Sequence, residues 1–246
     1  MPLSAESIIA RACQMAHAPG YVAAGADLLN MVLGDLCETY DFALARGVFD
    51  FVFDPGLLSN YGSGPYALPA DYLRTSGSSG STGAQKSSIW FLQGVPYPMV
   101  PVDLAEFDMQ VQQAGLQSYP WLWATDMSQS PPVGYAYPPP SGSYPVQIRY
   151  QRQMPDIPSA ATSAVVPWFP NQAYLITRVA GEVMRITDDT RYEKFLGKGP
   201  EGAQGILERY LMLKDDDTNR SKTVQLDRRT FARQFSKLPN TKTIGW

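Results

Sequence analysis

Helical hydrophobic period at both ends of the chain, strand period between them, and a cationic final stretch too poor in apolar residues to pack together predict an α+β protein. The expected architecture is an antiparallel helical bundle with an inserted β-rich domain and an extended C-terminal arm. The bundle is discontinuous, 1–47 plus 167–217; the insertion spans 48–166, with a mobile loop at 75–88; the arm is 218–246. With 246 residues, 44% of them hydrophobic, the chain can bury roughly 70 to 75% of its extended surface, enough for one large domain or two small ones.

From Ser4 to Ala16 the spacing of Ile8, Ala12 and Met15 is helical, with Ser4 as N-cap and Ala18-Pro19-Gly20 as the stop. A longer helix follows, in which Val22, Ala26, Leu29, Leu33, Leu36 and Tyr40 recur at steps of three and four, and it is expected to end near Arg46-Gly47. Core packing is the plain reading of that stripe. Period 2 then sets in. Phe49, Phe51 and Phe53 share one face of a strand, with Asp50 and Asp54 opposite. Further strands are expected at 88–93, 96–102, 121–124, 134–137 and 144–151, with turns at 62–65 and 138–143 and a short helix from Asp103 as N-cap to Ala114. The Ser, Gly and Thr of 75–88 cannot pack on themselves and read as a projecting loop. After Pro170, placed in the first turn, Leu175, Val179, Val183 and Ile186 restore the helical stripe as far as Asp188-Asp189. A last helix spans about 201–217. Bundle helices at both ends cannot hide their stripes separately, which is why the β-rich middle reads as an insertion.

The arm carries seven Lys and Arg residues against one acid, so +6 of a chain whose net charge is −3, leaving −9 on the other 217 residues. Its apolar residues are too scattered to offset the entropy of ordering it, so its order must come from a partner. A basic arm on an acidic body suits docking on an acidic neighbour and argues against general wrapping of nucleic acid.

Chemistry is sparse. His17, the single histidine, stands at a helix end, where it complements the carbonyl dipole; it has no histidine or acid cluster to make a metal site with, and no nucleophile elbow. No cofactor, metal or catalytic residue is expected. Gly197-Lys198-Gly199 lacks the strand and the ending of a phosphate loop and reads as a turn. Glu6, Glu38, Glu106, Glu182 and Glu208 could converge in space, but nothing in the sequence selects a pair. Trp90, Trp121, Trp123, Tyr135, Tyr137 and Tyr144 fit sheet-face packing better than sugar or base stacking. Cys13 and Cys37 read as buried free thiols, with a disulfide between their helices as the alternative. Neither a signal peptide nor a membrane span is read in the sequence, so assembly in a cytoplasm is expected.

The ordered blocks Leu29-Asn30, Leu36 to Phe42, Tyr66 to Arg74, Ala124 to Met127, Pro145 to Arg152, Val166 to Asn171 and Lys237 to Trp246 resemble the head-to-tail adaptor of short-tailed bacteriophages, a group related to tail tubular protein A. The likeness spans almost the whole chain, and none of its blocks is a catalytic signature. It implies a virion protein of the neck, not an enzyme, forming a ring of typically twelve copies between the portal protein and the tail nozzle protein, with genomic DNA passing through the hole and no membrane contact. It also implies that the arm climbs onto the portal. Its 29 residues reach about 95 Å at about 3.3 Å each. On that basis Phe231, Phe235, Leu238, Ile244 and Trp246 are expected to seat in portal pockets while Arg228, Arg229 and Arg233 pair with acids there. Two rival functions are a peptidoglycan hydrolase activity added to the adaptor and a nucleic-acid binder acting through the basic tail.

Overall fold

The computed structural model describes residues 2–59, 62–75, 89–94, 96–111 and 117–219. Helix α1 is Ala5–Met15, and Ser4 caps it as expected, its Oγ accepting from the Ser7 N–H at 3.3 Å. Helix α2, Val22–Thr39, is shorter than the stripe suggested: it stops at Thr39, not near Arg46-Gly47, because Tyr40 turns extended at φ −127° and ψ 148°. That turn swings Tyr40 and Phe42 away from the helix stripe and into an aromatic cluster with Trp168 and Phe169.

The strands follow in chain order: β1 Arg46–Phe53, β2 Leu58–Ser59, β3 Gly62–Ala67, β4 Tyr72–Thr75, β5 Ile89–Phe91, β6 Tyr97–Pro98 and β7 Val100–Pro101. Helix α3, Leu104–Val111, precedes β8 Leu122–Asp126, β9 Val133–Tyr137 and β10 Tyr144–Arg152. Residues 62–65, expected as a turn, open a strand instead. Gly62 and Gly64 hold positive φ and lie so close to the carbonyls of Ala136 and Gly134 that a Cβ on either would come within 2.7 Å of oxygen; the glycines serve close backbone approach, not chain reversal. The 96–102 strand is in fact two short ones in different sheets. Of the loop expected at 75–88, Thr75 ends β4 and the rest lies outside the described residues, as does the end of the 103–114 helix.

Helix α4, Gln172–Ile186, is capped by Asn171, whose side chain accepts from the Tyr174 N–H at 3.0 Å; Pro170 stands just outside the cap, not in the first turn. A five-residue helix, α5 Tyr192–Leu196, comes before the Gly197-Lys198-Gly199 turn, and α6 is Ala203–Asn219.

The protein is a mixed α+β chain, with two sheets among the described residues. Its helical core centres on α4: Leu175, Val179, Ala180, Val183 and Met184 meet Ile8, Ile9 and Ala12 of α1, Leu29 and Leu33 of α2 and Leu207 of α6. Ile157 and Ala160, upstream of residue 167, lie in the same core. The first sheet runs β1-β10-β5-β6, with β4 also on β10; the second runs β2-β3-β9-β8-β7. Among the described residues every strand pair is antiparallel except β7 with β8.

The two sheets share a core in which Phe53, Phe91, Val146 and Ile148 of the first meet Tyr66, Trp123 and Ala136 of the second. Alternation explains it, since period 2 sends every second residue of β1 and β10 inward. Phe107 of α3 covers the far side of the second sheet, against Leu122, Ala124, Val133 and Tyr135. On the far side of the first sheet Val48 and Val52 remain 59% and 56% exposed.

Candidate functional site

The residues expected to carry portal binding, Arg228, Arg229, Phe231, Arg233, Phe235, Leu238, Ile244 and Trp246, lie outside the described residues. What leads toward them is α6. Leu207 is buried and Tyr210 and Leu211 half-buried, but Met212 and Leu213 are well exposed.

The best-built feature is the joint between helices and sheets. Arg74 of β4 donates from Nε and Nη2 to Asp41 Oδ1 at 3.0 and 2.8 Å, from Nη1 to the Glu38 carbonyl at 2.5 Å, and from Nη2 to the Cys37 carbonyl at 3.1 Å. A helix end leaves its last carbonyls without partners, and the planar guanidinium supplies donors to two of them while pairing with a carboxylate. Gln151 of β10 reaches the same corner, its Nε2 donating to the Phe42 carbonyl at 3.3 Å. Around Phe42 stand Tyr40, Trp168, Phe169 and Tyr210, with ring centroids 5.2 to 6.4 Å away. Tyr150 donates to Asp71 at 3.0 Å, and burial, with Asp71 as a lesser cause, pushes its hydroxyl up to about 12. On α2, Asn30 forms a two-way link with Ile157, accepting from its N–H at 3.0 Å and donating to its carbonyl at 3.2 Å. None of these contacts was visible in periodicity; Arg74 and Asn30 were legible only as members of the resemblance blocks.

Electrostatically, the outward row of α2 is acidic. Asp27, Asp35 and Glu38 are exposed on either side of Met31, itself 68% exposed, and none is in an ion pair with a described residue. Of the five glutamates considered from sequence, Glu182 is buried and clamped between Arg178 at 3.0 Å and Arg185 at 3.3 Å, so its charge is already committed. Among the described residues no group of three or more His, Cys, Asp or Glu is placed to hold a metal ion.

His17 has φ 54° at the end of α1. Its neighbour Asp189 is held down at about 2, chiefly by hydrogen bonds from Arg191, with His17 contributing least. Cys13 and Cys37 are buried and unbonded, and burial pushes both thiols up. Trp123 and Tyr135 are core residues, whereas Trp121 is 47% exposed.

A cavity of about 260 Å³ lies between α1, α4 and the α5 to α6 turn, lined by Met15, Thr177, Lys194, Phe195 and Glu201. Lys194 and Glu201 pair with each other at 3.1 Å. No described helix is long and apolar enough to cross a membrane. No protein-family model matches the chain, and no curated protein is similar enough to count as a match.

Proposed function

We propose that this chain is a structural virion protein whose copies form a ring, of about twelve by the family likeness, joining the portal to the tail nozzle and lining the channel for DNA. The observation that carries the reading is where the resemblance blocks fall. Leu36 to Phe42, Tyr66 to Arg74, Pro145 to Arg152 and Val166 to Asn171 are far apart in sequence, yet each sends residues to the one joint around Arg74 and Phe42. A connector needs its helical bundle and its β-rich insertion held at a set angle, because a ring closes only if every copy presents the same two surfaces to its neighbours.

The acidic row of α2 also supports the reading. DNA sliding past carboxylates is not retained, whereas basic walls would hold it by phosphate contacts. In this proposal the arm, 218–246, climbs onto the portal, with Phe231, Phe235, Leu238, Ile244 and Trp246 as anchors and Arg228, Arg229 and Arg233 as charge partners. Each buried aromatic contributes roughly 1.5 to 3 kcal/mol, and repetition around the ring makes the weak anchors act together. Purified full-length chain and a version ending at Asp217 are compared for binding to purified portal. The full chain is expected to form a ring on the portal and the shortened one to lose it; equal binding by the two overturns the arm's role, and no ring with either overturns the connector reading.

A further inference from the structure

The long outer strand β1 has β10 on one side and no described strand on the other. Which of its main-chain groups face the open side follows from two hydrogen bonds across the sheet. The Leu92 N–H donates to the Pro145 carbonyl at 3.0 Å and the Met99 N–H to the Ile89 carbonyl at 2.9 Å. Pro145 therefore turns its carbonyl toward β5 and away from β1. In an antiparallel ladder a residue bonded on one side is unbonded on the other, and so is the residue opposite it. Pro145 lies opposite Val52. By alternation, Arg46, Val48, Asp50 and Val52 direct both N–H and C=O outward from the sheet edge.

The side chains of those same four residues are exposed. The strand has neither Pro nor Lys in Arg46–Phe53 to guard its open edge, and its two exposed charges, Arg46 and Asp50, are of opposite sign. An edge of this kind accepts another strand, and its own charges select which.

We propose that in the unassembled protein β1 pairs antiparallel with β1 of a second copy, about a two-fold axis at Val48. In that register Arg46 of each copy faces Asp50 of the other, and Val48 faces Val48. All three central pairs are of the outward-facing type, giving about six main-chain hydrogen bonds. The neighbouring registers are worse. Moving the axis to Phe49 sets Arg46 against Val52 and Asp50 against Val48, and moving it to Asp50 sets two carboxylates face to face. Opposite charges directly across an antiparallel pair are favourable and like charges unfavourable, so the Val48 register is selected. Asp50 already accepts from Gln147 Nε2 at 2.9 Å on its own sheet, which leaves its other carboxylate oxygen for the incoming arginine.

This inference does not rest on the proposed function. In a ring with one rotation axis neighbouring copies meet head to tail and not about a two-fold, so the pair belongs to the free chain and must open before any ring closes. Sedimentation of the full-length chain over a range of concentrations is expected to show a dimer of twice 27.1 kDa. R46D and D50R alone should each weaken it by about tenfold or more, and the double swap should restore it, since only the pairing of the two charges is reversed. V48C should crosslink to itself on oxidation, because facing Cα atoms at about 5.5 Å lie within disulfide reach, while Cys13 and Cys37 stay buried. A chain monomeric at every concentration, a dimer indifferent to the single swaps, a double swap that fails to restore, or V48C without crosslink each overturns the proposal.

Discussion

Arg74 and Asp41 meet at 2.8 Å across the corner where helix gives way to sheet, and the same guanidinium closes the end of α2 by bonding the carbonyls of Cys37 and Glu38. One side chain therefore satisfies the end of a helix and ties a β strand to it. Exposed ion pairs contribute little, but this one is only partly exposed and shares its donors with two carbonyls.

Replacing Arg74 with Ala should lower stability by about 1.5 to 3 kcal/mol, the range for hydrogen bonds to a charged group. Arg74→Lys should recover only part of it, because an ammonium cannot span a carboxylate and two carbonyls in one plane. Denaturant midpoints of the three proteins check this; a lysine variant as stable as the parent would show that charge alone suffices.

Asn30 supplies a donor and an acceptor to Ile157, so the two possible losses differ. Asn30→Ala should cost about 1 to 2 kcal/mol. Asn30→Asp should cost more at neutral pH, since a carboxylate has no proton for the Ile157 carbonyl, and should recover as pH falls and the acid is protonated. Urea unfolding between about pH 4 and pH 7 distinguishes them; equal penalties with no pH trend would contradict the geometry.

Gly134 lies directly under Trp123, and a Cβ there would sit inside the indole ring. Trp123 is 1% exposed and enclosed by both sheets, so it has nowhere to go. Gly134→Ala should therefore cost about 3 kcal/mol or more, toward the upper end of overpacking penalties. Gly181→Ala meets mainly the Leu196 Cδ2 at 2.5 Å, the far end of a flexible side chain, and should cost less. Thermal midpoints of the two variants give the order.

Stability should fall as pH rises from about 10 to 12. Burial is the chief cause that pushes Tyr150 and Tyr174 up to about 12 from the ordinary value of 10. A raised folded-state value means that the contribution is full below 10, where neither state ionises, and is lost as pH climbs through 12, because the unfolded chain ionises first. Tyr174→Phe should flatten part of that decline in urea midpoints taken across this window; an unchanged slope would show that Tyr174 ionises freely in the folded protein.

The apolar stripes of Ile8 and Ala12, of Leu29 and Leu33, and of Leu175 and Val183 were readable because a helix must repeat every 3.6 residues to bury one side. The alternation of Phe49, Phe51 and Phe53 was readable for the corresponding reason in a strand. What escaped was short or dictated from a distance. Helix α5 is too brief for a period to show, and β3 was hidden because its glycines serve a neighbouring backbone and not a turn. The end of α2 could not be read because nothing near Thr39 stops a helix; the partner for its carbonyls arrives from Arg74, 33 positions beyond Asp41.

Local pattern alone thus determined the class of the fold, most of its long helices and strands, and the opposition of a basic C-terminal stretch to an acidic remainder. Only the tertiary structure decided where the joint lies, which carboxylates are already paired, and which strand is left with an open side. Periodicity reports a residue's preference for inside or outside, whereas hydrogen-bond partners are chosen by closure of chain segments that no local pattern relates.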